Sequence, residues 1–150
     1  MRKERASEAA SALAELKRDP NVLRMKAYIQ HGSVSTFDHC VSVAETSCRI
    51  NRALRLCADE YTLVRSAMLH DFYLYDWHER DKAHRWHGFH HANRAADNAR
   101  RLLSATDQEC DIIRSHMWPL TLRRVPRSRE AWIVCCADKW CSLVETLLRR

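Results

Sequence analysis

The pair His70-Asp71 closes an apolar stretch that reads Thr62-Leu63-Val64-Arg65-Ser66-Ala67-Met68-Leu69. A hydrophobic helix ending in a histidine and an aspartate delivers two metal-binding groups to the edge of a core. His39 lies upstream of the pair, and His91, His116 and Asp138 lie downstream. Four imidazoles and two carboxylates can hold two metal ions and leave positions open for water. Metal-assisted hydrolysis is the chemistry to which this set points.

Asp138 is the sharpest single test of such a site. It follows Trp132-Ile133-Val134-Cys135-Cys136-Ala137. On a helix, Ala131, Val134, Cys135, Asp138, Cys141 and Ser142 share one face by three- and four-residue spacing. A carboxylate on so apolar a face costs several kcal/mol unless something compensates it. A bound cation would do so. The plainer alternatives are an ion pair with Arg or Lys, or a capping role. For His70-Asp71 the plainer alternative is a polar end to a buried helix.

The elements that must carry these residues read as helices. Only 2 Gly and 3 Pro in 150 residues leave little material for the tight turns of an all-β fold. Residues 6–18 are rich in strong helix formers, and Asp19-Pro20-Asn21 ends that helix. Residues 22–30 read as a second short helix and 31–35 as a loop. Ser35 or Thr36 can cap a helix over 37–56, with Phe37, Val41, Ala44 and Cys48 as its apolar stripe and His39 beside it. Further helices are expected over 60–72, 91–104, 107–116 and 128–148. The Ala-rich one carries Ala92, Ala95, Ala96 and Ala99, which permit close packing. Between 73 and 90 the period is poor, and Tyr73, Tyr75, Trp77 and Trp86 interleave with charged residues. That segment reads as a functional loop or an irregular helix. Its aromatics either stack a nucleobase or cover the core, the second being the commoner use.

Composition narrows the class further. With 46% hydrophobic and 29% charged residues, the chain fits a globular domain with a real core. The start, Met1-Arg2-Lys3-Glu4-Arg5, leads into no apolar segment, and the longest apolar run, about 131–137, is far too short to span a membrane. Seven cysteines, an odd number with no CxxC pair, argue for a reducing cytoplasm and against a disulfide scaffold. Cys40, Cys48, Cys135 and Cys136 read as small buried hydrophobes. The formal charge of +6 favours an anionic substrate and leaves nucleic acid open as a partner. Oligomeric state is not legible.

The order and spacing of the polar residues resemble the HD-domain metallohydrolase superfamily. The family pattern is a His on one helix, an HD pair on a later one and an Asp on a distal one. Two-metal members add two His between the HD pair and the last Asp. Phe37-Asp38-His39-Cys40, Met68-Leu69-His70-Asp71, His91-Ala92-Asn93-Arg94-Ala95-Ala96, Ile113-Arg114-Ser115-His116 and Ala137-Asp138-Lys139 match in turn, over roughly residues 36–142. Many members place Gly and Lys soon after the HD pair. Here Phe72-Tyr73-Leu74-Tyr75 follows, so no phosphate contact is carried over there. His84, His87, His90 and His91 crowd the third position; His91 is preferred for the small residues after it, and His87, one turn earlier, competes.

The resemblance implies an all-α, single-domain HD-type helical bundle spanning residues 1–150. Short N-terminal helices would cover 6–30, the HD core would cover about 36–142, and the metal site would lie between the helices. It implies that His39, His70 and Asp138 hold one metal, His91 and His116 another, and Asp71 bridges them. Two Fe or Mn ions suit mixed His and carboxylate ligands, with Zn, Ni, Co and Mg as further candidates. The ions would share a hydroxide that attacks phosphorus in line. Lys82, Arg85, Arg123 and Arg124 are candidates to bind phosphate, and His87 or His90 to protonate a leaving group. The expected function is hydrolysis of a nucleotide or other small phosphoester. Two rivals are a di-iron oxygenase of the same fold and a non-catalytic nucleotide- or nucleic-acid-binding module with a structural metal.

Overall fold

The computed structural model describes residues 2–76 and 87–148. Among them are seven α-helices: α1 (Arg2–Leu16), α2 (Pro20–Leu23), α3 (Thr36–Ala53), α4 (Glu60–Leu69), α5 (His87–Leu103), α6 (Asp107–Ser115) and α7 (Arg129–Leu148). A 3-10 turn (Arg24–Ala27) and a two-stranded hairpin, β1 (Ile29–His31) and β2 (Val34–Ser35), lie between α2 and α3. The fold is all-α, as its low glycine content and helical stripes predict. None of these helices is long and apolar enough to cross a membrane.

Helix α3 packs on α4 and α7, α4 also packs on α1 and α6, and α5 packs on α6. Ala92, Ala95, Ala96 and Ala99 are all buried, so α5 meets its neighbours along the small-residue face. One apolar cluster joins Met68, Leu69 and Phe72 to Phe37, Ala95, Ala99 and Ile113. A second joins Val43, Leu63 and Ala67 to Ile112, Ala131, Val134 and Ala137. The polar site lies where α3, α4, α5, α6 and α7 converge.

Local signals set where these helices start and stop. Ser35 Oγ accepts from Asp38 N at 3.1 Å and opens α3; Asp59 Oδ2 accepts from Thr62 N at 3.0 Å and opens α4. Thr106 and Glu109 form a capping box at the start of α6. Glu109 is buried, and its Oε1 accepts from Arg65 Nε at 2.6 Å. Arg65 also donates to Leu103 O at 3.1 Å. That guanidinium ties α4 to α6 and to the end of α5, and so fixes the distance between the helices bearing His70 and His116.

Two expectations are corrected. The short helix expected over 22–30 ends as a 3-10 turn at Ala27, and 31–35 are not a plain loop: Ile29 pairs with Ser35 and His31 with Val34 in an antiparallel hairpin. Gly32 takes the left-handed φ of 56° that the turn needs. The strands are too short to show a period, and their burial runs against hydropathy, with Ile29 exposed and Gln30 buried. Cys40 and Cys135 are buried as expected, but Cys48 is half-buried and Cys136 exposed. Neighbouring residues on a helix point about 100° apart, so only one of Cys135 and Cys136 can face the core.

Candidate metal centre

Each element delivers one or two groups. His39 comes from the first turns of α3, His70 from the C-terminal cap of α4, and Asp71 from the residue after it. His91 comes from the second turn of α5, His116 from the C-terminal cap of α6, and Asp138 from the middle of α7. All six are buried. Asp71 stands at the centre. Its Oδ2 lies 3.3 Å from His70 Nε2 and 3.8 Å from His39 Nε2. Its Oδ1 lies 3.2 Å from His91 Nε2 and 3.5 Å from His116 Nε2. Asp138 Oδ1 lies 3.0 Å from His39 Nε2 and 3.4 Å from His70 Nε2. Two ligand-like groups result, His39-His70-Asp71-Asp138 and Asp71-His91-His116, and they share Asp71.

The far side of three rings is tied back, which aims Nε2 inward. His70 Nδ1 is 2.7 Å from Ala67 O, and His116 Nδ1 is 2.7 Å from Ile113 O. Because a carbonyl can only accept, both Nδ1 atoms carry the proton and Nε2 is left as a lone pair in the neutral ring. His39 Nδ1 is 2.7 Å from Glu145 Oε2. Metal-binding histidines have this arrangement, with the second nitrogen held by a carbonyl or carboxylate.

The electrostatics belong to a cluster short of positive charge. Burial opposes a charged His39, but hydrogen bonds to Asp138 and Glu145 outweigh it and raise its pKa to about 10. His70 is raised well above its ordinary value, the charge of Asp71 overcoming burial. Asp71 and Asp138 are held well below theirs despite burial, by the histidines that face them. His116 is lowered, chiefly by burial. The carboxylates are thus held anionic and favour protonation of His39 and His70, where a cation would otherwise sit.

Two atoms test whether a metal fits. His70 Nε2 and Asp71 Oδ1 are buried and make no hydrogen bond. Buried polar atoms without a well-formed hydrogen bond are costly, and these two meet only the oppositely charged groups of the cluster, at 3.2 to 3.5 Å. The donor set of imidazole and carboxylate suits a divalent transition metal. The residues fit the group.

The family model for the HD domain matches residues 36–142. The chain belongs to the HD-domain family. No curated protein and no solved structure matches it. The family is largely one of metal-dependent phosphohydrolases, and the HD pair of this chain is His70-Asp71.

The remaining sequence-derived candidates fall elsewhere. Helix α5 extends back to His87, so that residue does lie one turn before His91, but its side chain lies outside the described residues, as do Lys82, Arg85, Trp77 and Trp86. His90 is exposed, while its neighbour His91 is buried against Asp71. Arg123 and Arg124 line a different cavity from the one over the HD pair. Tyr73 is buried and donates to Gln30 Oε1 at 2.6 Å, a structural use of one aromatic of that segment. Asp138 pairs with histidines and not with Arg or Lys among the described residues.

Sequence reasoning missed several site residues. Gln30 Nε2 donates to Asp71 Oδ2 at 2.6 Å, and its Oε1 accepts from Tyr73 and from Thr36 Oγ1. Nothing local marks Gln30, since the hairpin that carries it is not legible. Glu145 follows Asp138 by seven residues, two helical turns, so shared facing was a usable signal. A cavity of about 650 Å³ opens over the cluster, and its lining includes His31, Lys139 and Ser142 as well as Met117, Pro119 and Leu120. Lys139 Nζ is held by His116 O at 3.0 Å.

Proposed function

We propose that this HD-domain protein is a metal-dependent phosphohydrolase that acts on a nucleotide or other small phosphoester. The observation that carries the reading is the two-sided placement of Asp71, one oxygen toward His39 and His70 and the other toward His91 and His116. Nε2 of His39 and His70, with one oxygen each of Asp71 and Asp138, would hold one ion. Nε2 of His91 and His116, with the other Asp71 oxygen, would hold a second. Ions held there supply an acidified water as nucleophile and charge to stabilise the phosphoryl oxygens.

The chain's own residues do the rest. Ala67 O and Ile113 O fix two rings, Glu145 fixes a third and Gln30 fixes the Asp71 carboxylate, so the ligand atoms need no reorganisation. The cavity provides an ammonium from Lys139 near an incoming phosphate and an apolar wall for the rest of the ester.

Metal analysis of the purified protein, followed by a phosphoester panel with Mn, Fe, Co, Ni and Mg, tests the reading. It expects bound transition metal and metal-restored phosphate release. Absence of bound metal and of hydrolysis under every metal would overturn it, and turnover that requires iron and oxygen would replace it with the oxygenase reading.

A further inference from the structure

A separate cavity lies between α6 and the loop that leads into α7. It measures about 400 Å³, and Arg114, Arg123, Arg124 and Arg127 line it together with Ile112 and Ala131. It shares no lining residue with the cavity over the metal cluster. Asp111 is the one carboxylate in its lining. Arg114 is held by Asp97 at 3.1 Å. Among the described residues none pairs with the guanidinium of Arg123, Arg124 or Arg127. Arg123, Arg124 and Arg127 are exposed and line one concavity, so an anion placed there would meet several positive charges at once.

The loop that carries them is anchored. Pro126 is buried, and Arg124 N donates to Thr121 O at 2.9 Å. Ser128 caps the start of α7 through Ala131 N. The arginines therefore project from a fixed backbone rather than from a free tail. Guanidiniums bind phosphate oxygens through paired N–H donors, and several of them suit a group with more than one phosphate.

We propose that this cavity is a second anion site, separate from the metal cleft, and that it takes a compact polyphosphate group: inorganic pyrophosphate or the di- or triphosphate end of a nucleotide. The sequence reading grouped Arg123 and Arg124 with the substrate phosphate of the metal site; their placement assigns them to a ligand of their own. The assignment holds whether or not the metal cleft is hydrolytic. Its position links the two, because Ser115 lines this cavity and the next residue, His116, lines the metal cleft.

Calorimetric titration with pyrophosphate in the presence of a chelator, so that no metal-held phosphate site contributes, tests this on the purified protein and three variants. The triple substitution Arg123→Gln, Arg124→Gln, Arg127→Gln should weaken binding by at least about a hundredfold, given the loss of several charge-assisted hydrogen bonds. Asp71→Asn, which alters only the metal cluster, should leave that binding in place. Arg100→Gln, an exposed arginine elsewhere, should also leave it in place. Binding that survives the triple substitution, or that disappears in Asp71→Asn, would overturn the proposal. So would an equal loss in Arg100→Gln, which would mark a general charge effect. Binding of a single-stranded decanucleotide with none of pyrophosphate or a nucleoside triphosphate would replace a compact polyphosphate with a nucleic-acid backbone and refute the proposal as stated.

Discussion

Replacing Asp71 by Asn keeps the size of the side chain and removes its charge. The carboxylate is buried and faces four imidazole nitrogens between 3.2 and 3.8 Å away. Gln30 already donates to Oδ2, so the amide oxygen of Asn would keep that bond and turn its NH2 toward His91 and His116. A donor then occupies the place where the second ligand-like group needs an acceptor. Two unit charges about 4 Å apart interact by about 4 kcal/mol at an effective dielectric of about 20, so losing the shared negative charge should cut metal affinity by about a thousandfold. For turnover the expected loss is at least about a hundredfold, on the order of 3 kcal/mol of transition-state stabilisation. Metal content by mass spectrometry and kcat/KM on the best phosphoester measure the two, with circular dichroism to show that the helices persist. Near-normal phosphoesterase turnover in Asp71→Asn, or in metal-free protein, would refute the mechanism while leaving the fold untouched.

His91→Ala should reduce bound metal and activity far more than His87→Ala, and the reverse order would move the third-helix ligand to His87. Glu145→Gln should lower metal affinity by about tenfold or more, because the carboxylate no longer orients His39; equilibrium dialysis reads this without any substrate, and unchanged affinity would count against the orienting role. In metal-free protein the raised His39 pKa contributes stability that is complete below 6.5 and is lost as pH rises toward about 10. Its melting temperature should therefore fall between pH 7 and 10, while the stabilisation by added metal should grow over the same range because metal displaces the proton. Arg65→Met leaves Glu109 buried without its cation and should cost about 3 kcal/mol in urea unfolding; a cost near zero would show that the pair does not lock α4 to α6.

Much of the candidate centre was legible because its signals are local. A helix face is a property of spacing, so a carboxylate among Val134, Cys135 and Cys141 announces a paired or ligating group wherever that face lands. The HD pair and the later histidines are legible in the same way, since each ends or opens a periodic segment. The start of α3 followed to within a residue or two from Ser35, whose side chain bonds an amide of the next turn. What stayed hidden depends on contacts between segments far apart in the chain. Gln30 is an ordinary glutamine until the hairpin sets it 2.6 Å from a residue forty-one positions away.

Residue types and spacing alone determined that this protein is helical, that six polar residues are candidates for one centre, and that the chain resembles the HD-domain family. Tertiary structure alone decided that Asp71 faces both histidine pairs, that Glu145 bonds His39 and Gln30 bonds Asp71, and that Arg123 and Arg124 line another cavity. The division has a physical cause. Helix formation and facing depend on neighbours within four residues, whereas the direction of a carboxylate's two oxygens, and the side of a helix on which a loop arginine emerges, depend on how whole helices pack.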